Sequence, residues 1–304
     1  MDNENQDVVL VGPVFLDIVM AGLDRLPAAG EEIHGGSASW APGGFAISAI
    51  AFSRLGISTH LFTEIGADEL GSVLRKRLAG EGVELFSPAS VATTNIAVAL
   101  NWNGDRGIVS YTQPFYDASE AAETFLEKQP GLLVMSARHP HAKKIAEMAH
   151  RKAVPVALTL SWHPEFLTSR TLQQIMPFAD HLLCNVPEAL LVTGQTDFRR
   201  ALAILSESID DVVVTRGAEG SVALVHGEYF EEPGIPSVMI DATGAGDVFG
   251  AAYLTAKLRG LPVEQWLRVG NWAAAQAVAA LGGCTAAPRW VDVERFLNTE
   301  VAGR

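Results

Sequence analysis

Asp241-Ala242-Thr243-Gly244-Ala245-Gly246-Asp247 combines two things that phosphoryl chemistry needs, a backbone anion cradle and a nearby acid. Gly244 and Gly246 lack a Cβ, so the chain can turn tightly there and come close to a ligand. The apolar stretch Val248–Leu254 that follows reads as a helix. Its first N–H groups have no intrahelical acceptor and carry the positive end of the macrodipole. Gly244, Ala245 and Gly246 would supply the cradle's amides. Asp247 stands at the edge, placed to take a proton from an acceptor hydroxyl. Its other reading is a first-turn acid that complements the helix dipole.

Other stretches repeat this pattern of strand, turn and polar residue. Val8–Gly12 is a short apolar run that continues through Pro13-Val14-Phe15-Leu16 to Asp17. A carboxylate just past a buried strand lies where open α/β sheets bind ligands, although a turn-capping Asp looks the same. Pro42-Gly43-Gly44 opens a helical run from Phe45 to Gly56 with Ser48 near its start. The glycine pair either admits a ligand or makes a tight turn. Asn185-Val186-Pro187-Glu188 follows an apolar strand and suits a helix N-cap, with Pro187 in the first turn. Val213–Gly220 is another strand into a glycine turn, carrying Thr215, Gly217 and Gly220. Arg106 and Arg138 either grip a carboxylate or phosphate on a substrate or are ordinary surface or ion-paired arginines.

Other phosphate and hydrolytic designs are missing. There is no Gly-Lys dipeptide and so no P-loop, no early G-x-G-x-x-G, no H-E-x-x-H and no G-x-S-x-G. Cys184 and Cys284 are two isolated thiols without metal spacing, and read as buried small hydrophobes. The 304 residues carry 22 Lys and Arg against 35 Asp and Glu, a net charge of −13. That balance argues against nucleic acid and anionic membranes as partners, and it obliges any nucleotide to be held by local donors or a metal. The acidic, polar start and the lack of a long apolar run predict a cytoplasmic protein.

The elements that must position these residues alternate. Candidate strands are Leu132–Ser136, Val154–Leu160, His181–Cys184, Val212–Thr215 and Ser221–Val225. Candidate helices are Ala142–Arg151, Glu188–Thr193, Phe198–Ser206, Asp247–Arg259 and Val263–Leu281. Regular alternation predicts an α/β fold with a mostly parallel central sheet and helices on both faces. Two alternating runs, Thr93–Trp102 and Arg106–Tyr111, flank Asn103-Gly104, a strong hairpin signal. With about 15–39, residues 93–113 would form a small β lid on a single domain spanning 1–304.

Gly244-Ala245-Gly246-Asp247, with Asp241 ahead of it, resembles the second signature of the ribokinase-like carbohydrate kinases, the PfkB family. Ala242 stands where that family carries Thr. The Gly43–Ser48 stretch resembles its Gly-Gly-x-x-x-Asn motif, with Ser48 in place of Asn. Leu61–Gly71 is similar to its strand and G-x-D-x-x-G passage, Asn185–Glu188 to its Asn-x-x-Glu, and Thr215–Gly220 to its Thr-x-Gly-x-x-Gly. The order of these motifs matches from Asp17 to Asn271.

The resemblance implies a three-layer ribokinase-like sandwich and ATP-dependent phosphotransfer to a sugar hydroxyl, usually a primary one. Asp247 would be the general base, and Gly244, Ala245 and Gly246 would form the anion hole. Asp17, Gly43, Gly44 and Ser48 would fix the sugar. Asn185 and Glu188 would steer Mg²⁺ through water, and Thr215, Gly217, Gly220 and Asn271 would border the nucleotide. Asp241 would belong to a monovalent-cation loop for K⁺, and the lid would make a homodimer. No sugar-facing Glu is evident near Arg138, which argues against ribose. A nucleoside kinase, with Phe15, Trp40 and Phe115 lining an aromatic pocket, or a catalytically silent sugar-binding regulator are the alternatives.

Overall fold

The computed structural model describes residues 6–88, 92–102, 105–114 and 117–301, with the side chains of 105–106 and 300–301 outside that description. In chain order the first strands are β1 (Val8–Val11), β2 (Val14–Leu23), β3 (Ser37–Gly44), β4 (Thr59–Phe62), β5 (Glu84–Phe86), β6 (Ile96–Trp102) and β7 (Asp105–Tyr111). There follow β8 (Leu132–Ser136), β9 (Val156–Thr159), β10 (His181–Asn185), β11 (Asp211–Thr215), β12 (Ser221–Val225) and β13 (Glu228–Glu232).

Nine strands form one sheet in the order β13-β12-β11-β10-β9-β8-β1-β4-β5, and four form a second in the order β3-β2-β6-β7. The large sheet is parallel from β11 to β5, and only the β11–β12 and β12–β13 pairings at one edge are antiparallel. β1 shows why helices cover both faces. All four of its residues are buried; Val8 and Leu10 join one core, Val9 and Val11 the other. The first core takes the helices Phe45–Arg54, Ala245–Leu258 and Val263–Ala277. The second takes Ser119–Leu126, Ala142–Arg151 and Phe198–Leu205. A strand that is apolar on both faces must be covered twice, which yields three layers.

The expected lid is the second sheet, with different limits. Asp17 does not follow the end of a core strand. Gly12 and Pro13 interrupt the run, and Asp17 lies inside β2, opposite Ala41 of β3 and Ala97 of β6. Proline has no N–H to extend the ladder, so the chain leaves the large sheet here and enters the small one. Pro42, Gly43 and Gly44 end a strand instead of only opening the helix, because pairing with β2 draws them into β3. β3 is an edge strand, where a proline is tolerated. The hairpin strands β6 and β7 pair antiparallel as expected, while Asn103 and Gly104 themselves lie outside the described residues. The helix from Val263 ends at Ala277, short of the predicted Leu281.

Candidate active site

The helix Ala245–Leu258 begins at Gly244, whose φ of 72° and ψ of 0° are left-handed. Only glycine adopts that conformation without strain, and a Cβ there would also sit 2.9 Å from Ile47 and 3.0 Å from Gly283. Behind the turn, buried Asp241 accepts from Thr243 N at 2.9 Å and from Gly282 N at 3.0 Å. It thereby ties the glycine turn to the Gly282–Thr285 loop. Val248 N bonds back to Gly244 O at 2.9 Å, whereas Ala245 N has only a 3.5 Å contact to Ala242 O. The amides at the helix start therefore lack helical partners, and a glycine N-cap has no side chain to supply one.

Gly246 and Asp247 line a cavity of about 760 Å³ at the C-terminal edge of the large sheet. Gly44, Ser48, Arg138, Asn185, Glu188 and Thr215 line it too, so residues from five separate stretches of sequence converge. The lid contributes Phe15, and the strap after β7 contributes Thr112 and Gln113. A volume of this size suits a small organic substrate beside the end of a nucleotide.

Its acids are perturbed. Burial, moderated by Ser48 and by its own backbone N–H and reinforced by Glu188, pushes Asp247 up to about 6. Ser48 donates its hydroxyl to Asp247 Oδ1 at 2.9 Å. Burial and then the charges of Asp247 and Asp241 raise Asp17 to about 7. Gly43 explains how Asp17 fits: a Cβ on Gly43 would fall on the Asp17 carboxylate, so glycine alone leaves it room. Neither Asp17 nor Gly43 is among the cavity's lining residues, but Asp17 lies near enough to Asp247 for their charges to interact.

Asn185 and Glu188 form a reciprocal capping box on the Val186–Thr193 helix. Asn185 Oδ1 accepts from Glu188 N at 2.9 Å, and Glu188 Oε2 accepts from Asn185 N at 3.0 Å. Burial raises the pKa of Glu188. Both residues face the cavity while doing this structural work. Among the described residues no group of three or more His, Cys, Asp or Glu could hold a metal ion by itself. One buried carboxyl beside a cavity suits Mg²⁺ carried by phosphates and water rather than by a protein cage.

The remaining expected positions are placed elsewhere. Gly220 allows close approach of the loop at Glu232–Gly234, and Gly217 faces open space. Asn271 is buried and donates Nδ2 to Glu232 O and Pro233 O, both at 3.1 Å, so it pins the end of β13. Arg106 lies in β7 opposite Asn101, with its side chain outside the description. Phe115 is outside the described residues, and Trp40 is exposed on the lid rather than in the cavity.

Sequence reading missed Ser136, Thr159, Ser161 and Gln113 on the cavity wall. The first three sit at or just past the ends of β8 and β9, where the sheet rule points even without a motif. It also missed Asn95, buried between Val14 O at 2.9 Å and Gln113 N at 2.8 Å, which fastens the lid's base to the strap.

Comparison with known proteins agrees with this fold. A profile of the pfkB family carbohydrate kinases matches residues 5–290. Ribokinase of Bacillus subtilis is 26% identical over 303 residues, covering 96% of this chain and 100% of that one. Fructokinase of Escherichia coli is 27% identical over 284 residues, covering 83% of this chain and 91% of that one. The solved structure of Arabidopsis thaliana ribokinase complexed with ribose and ATP superposes with a TM-score of 0.81 at 25% identity, over 97% of this chain and 99% of that one.

Proposed function

The chain belongs to the pfkB family of carbohydrate kinases, and from that premise we propose that it transfers the γ-phosphoryl group of ATP to a hydroxyl of a sugar or sugar derivative at the cavity beside Asp247. The observation that carries this reading is the meeting of an open helix start and a perturbed acid at one cavity wall.

Asp247 accepts the proton of the attacking hydroxyl. The hydroxyl oxygen then forms its bond to the γ-phosphorus, and the bond to the bridging oxygen breaks with its electron pair leaving on ADP. Ser48 holds Oδ1 of Asp247, which leaves the second oxygen for that proton. The amides at the Gly244–Gly246 turn stabilise negative charge on the group in flight. Asn185, Glu188 and Thr215 make the donor end of the cavity, and Gly44 with Ser48 the acceptor end, with Asp17 close by but outside the lining. Mg²⁺, when bound, neutralises charge on the donor phosphates, and Glu188 is the residue that would hold its water shell.

A homodimer through the lid belongs to the same reading. Trp40, Ile18, Val98 and Val109 lie side by side across all four strands. Trp40 is 54% and Val109 73% exposed. An apolar row of that kind is better covered than wet.

Replacing Asp247 by Asn tests the chemistry. ADP formation across a panel of sugars, sugar acids and nucleosides should fall about 10²–10⁴-fold in kcat, with nucleotide binding kept. Near-normal turnover would end the mechanism, and nucleosides as the sole acceptors would move the substrate to that class.

A further inference from the structure

We propose that Arg138 reads an anionic group, a carboxylate or a phosphate, on the acceptor, so that the substrate is an acidic or phosphorylated sugar rather than a neutral one. This rests on the kinase reading above and adds the substrate's chemical class to it.

Arg138 follows β8 by two residues and is the one cation among the described residues lining the cavity, where Asp247 and Glu188 are the anions. Its backbone N–H donates to Ser136 Oγ at 3.3 Å, which turns the chain at the strand's end. Arg138 is exposed at the cavity, where partial desolvation lowers the pKa of its guanidinium and no carboxylate opposes that effect. Guanidiniums drawn further into the molecule have found acceptors. Arg54 is paired with Glu81 and donates to the carbonyls of Cys284, Thr285 and Ala287. Arg259 donates to Leu55 O and lies over the Trp290 ring. Arg138 has no such side-chain partner among the described residues.

Its place along the sheet edge says which substrate it meets. β8 neighbours β1, next to the lid and the Gly44–Ser48 turn, while Asn185 closes β10, two strands away. Strands lie about 4.8 Å apart, so roughly 10 Å separates Arg138's strand from the donor end. Ser136, Thr159 and Ser161 line the same cavity and bring hydroxyls to it. A planar fork next to hydroxyl groups suits bidentate capture of a carboxylate or phosphate on a polyol. In a chain of net charge −13, such an anion needs a local cation to enter.

The test uses one sugar skeleton in three forms: neutral, as its sugar acid, and as its phosphate monoester. Each is assayed for ADP formation with wild type, Arg138→Gln and Arg138→Lys, and each is titrated by calorimetry, which needs no turnover. Thermal unfolding checks that the variants fold. One anionic form should exceed the neutral form by at least about 10-fold in kcat/KM, and the better of the two identifies the group. Arg138→Gln should lose about 10- to 100-fold of that advantage, through KM, with the KM for ATP unmoved. Arg138→Lys should fall between. Calorimetric preference for the anion, lost in Arg138→Gln, supports the inference even without turnover. Turnover of neutral sugars alone, with the same ratio in Arg138→Gln, overturns it and leaves the kinase reading standing. A rise in the ATP KM for every acceptor also overturns it, because the guanidinium then grips the donor. If nucleotide neither binds nor is consumed with any acceptor, the kinase reading itself fails.

Discussion

At the scale of single residues, the proposed mechanism makes the pair Ser48 and Asp247 set when the site can work. Burial makes the ionised Asp247 costly, and its pKa of about 6 lies well above the ordinary carboxylate range. A base must be deprotonated to act, so turnover should rise with pH through about 6 and level above about 7, where Asp17 has also ionised. The Ser48 hydroxyl stabilises the ionised form, and its removal therefore raises the pKa of Asp247. For Ser48→Ala the rising limb of the pH–rate profile should move to higher pH, with activity recovering on the alkaline side. A limb that stays in place would mean that the 2.9 Å hydrogen bond does not tune the base. Gly43 teaches the same lesson in steric terms, since its missing side chain is the space that Asp17 occupies.

At the scale of elements, the helix Ala245–Leu258 is anchored at the end remote from its cradle. Asp211, fully buried at the start of β11, accepts from Tyr253 OH at 2.8 Å and Lys257 Nζ at 2.9 Å, and lies 2.9 Å from His181 Nδ1 at the start of β10. Tyr253 and Lys257 belong to the same helix as Gly246 and Asp247, so this cluster fixes how far the helix slides along the sheet. Burial alone would raise the pKa of Asp211, but His181 and Lys257 hold it below 3.8. A lowered carboxylate stabilises the fold at pH values above 3.8 and loses that contribution as pH falls through its own depressed value. Asp211→Asn should cost about 3–5 kcal/mol in urea unfolding near neutral pH, because it leaves buried cationic and hydroxyl partners uncompensated. An unchanged urea midpoint would show that the cluster is not an anchor. The capping box at Asn185 is a second such device: it starts a helix and places two polar residues on the cavity wall.

At the scale of the whole molecule, two sheets of different character meet at the cavity. The large sheet is apolar on both faces and sealed between helices, whereas the small sheet leaves an apolar row in water. If that row joins two copies, Val109→Glu should yield monomers in sedimentation velocity at concentrations where the wild type is dimeric. A monomeric wild type, or a Val109→Glu protein that stays dimeric, would refute the lid interface. Among the described residues no helix is long and apolar enough to cross a membrane.

The sequence by itself determined the layered α/β architecture, because strands such as Val8–Val11 are apolar on both faces and must be buried twice. It also determined the open helix start, since Gly244 takes a left-handed φ and the helix after it must leave amides unpaired. Local chemistry of that kind is written in consecutive residues. The tertiary structure alone decided that Asp17 belongs to the lid sheet, that Ser48 bonds to Asp247 across 199 positions, and that Asn271 serves a loop. Those outcomes depend on which strands pair and which side chains meet at long range, and no local period or propensity encodes such meetings.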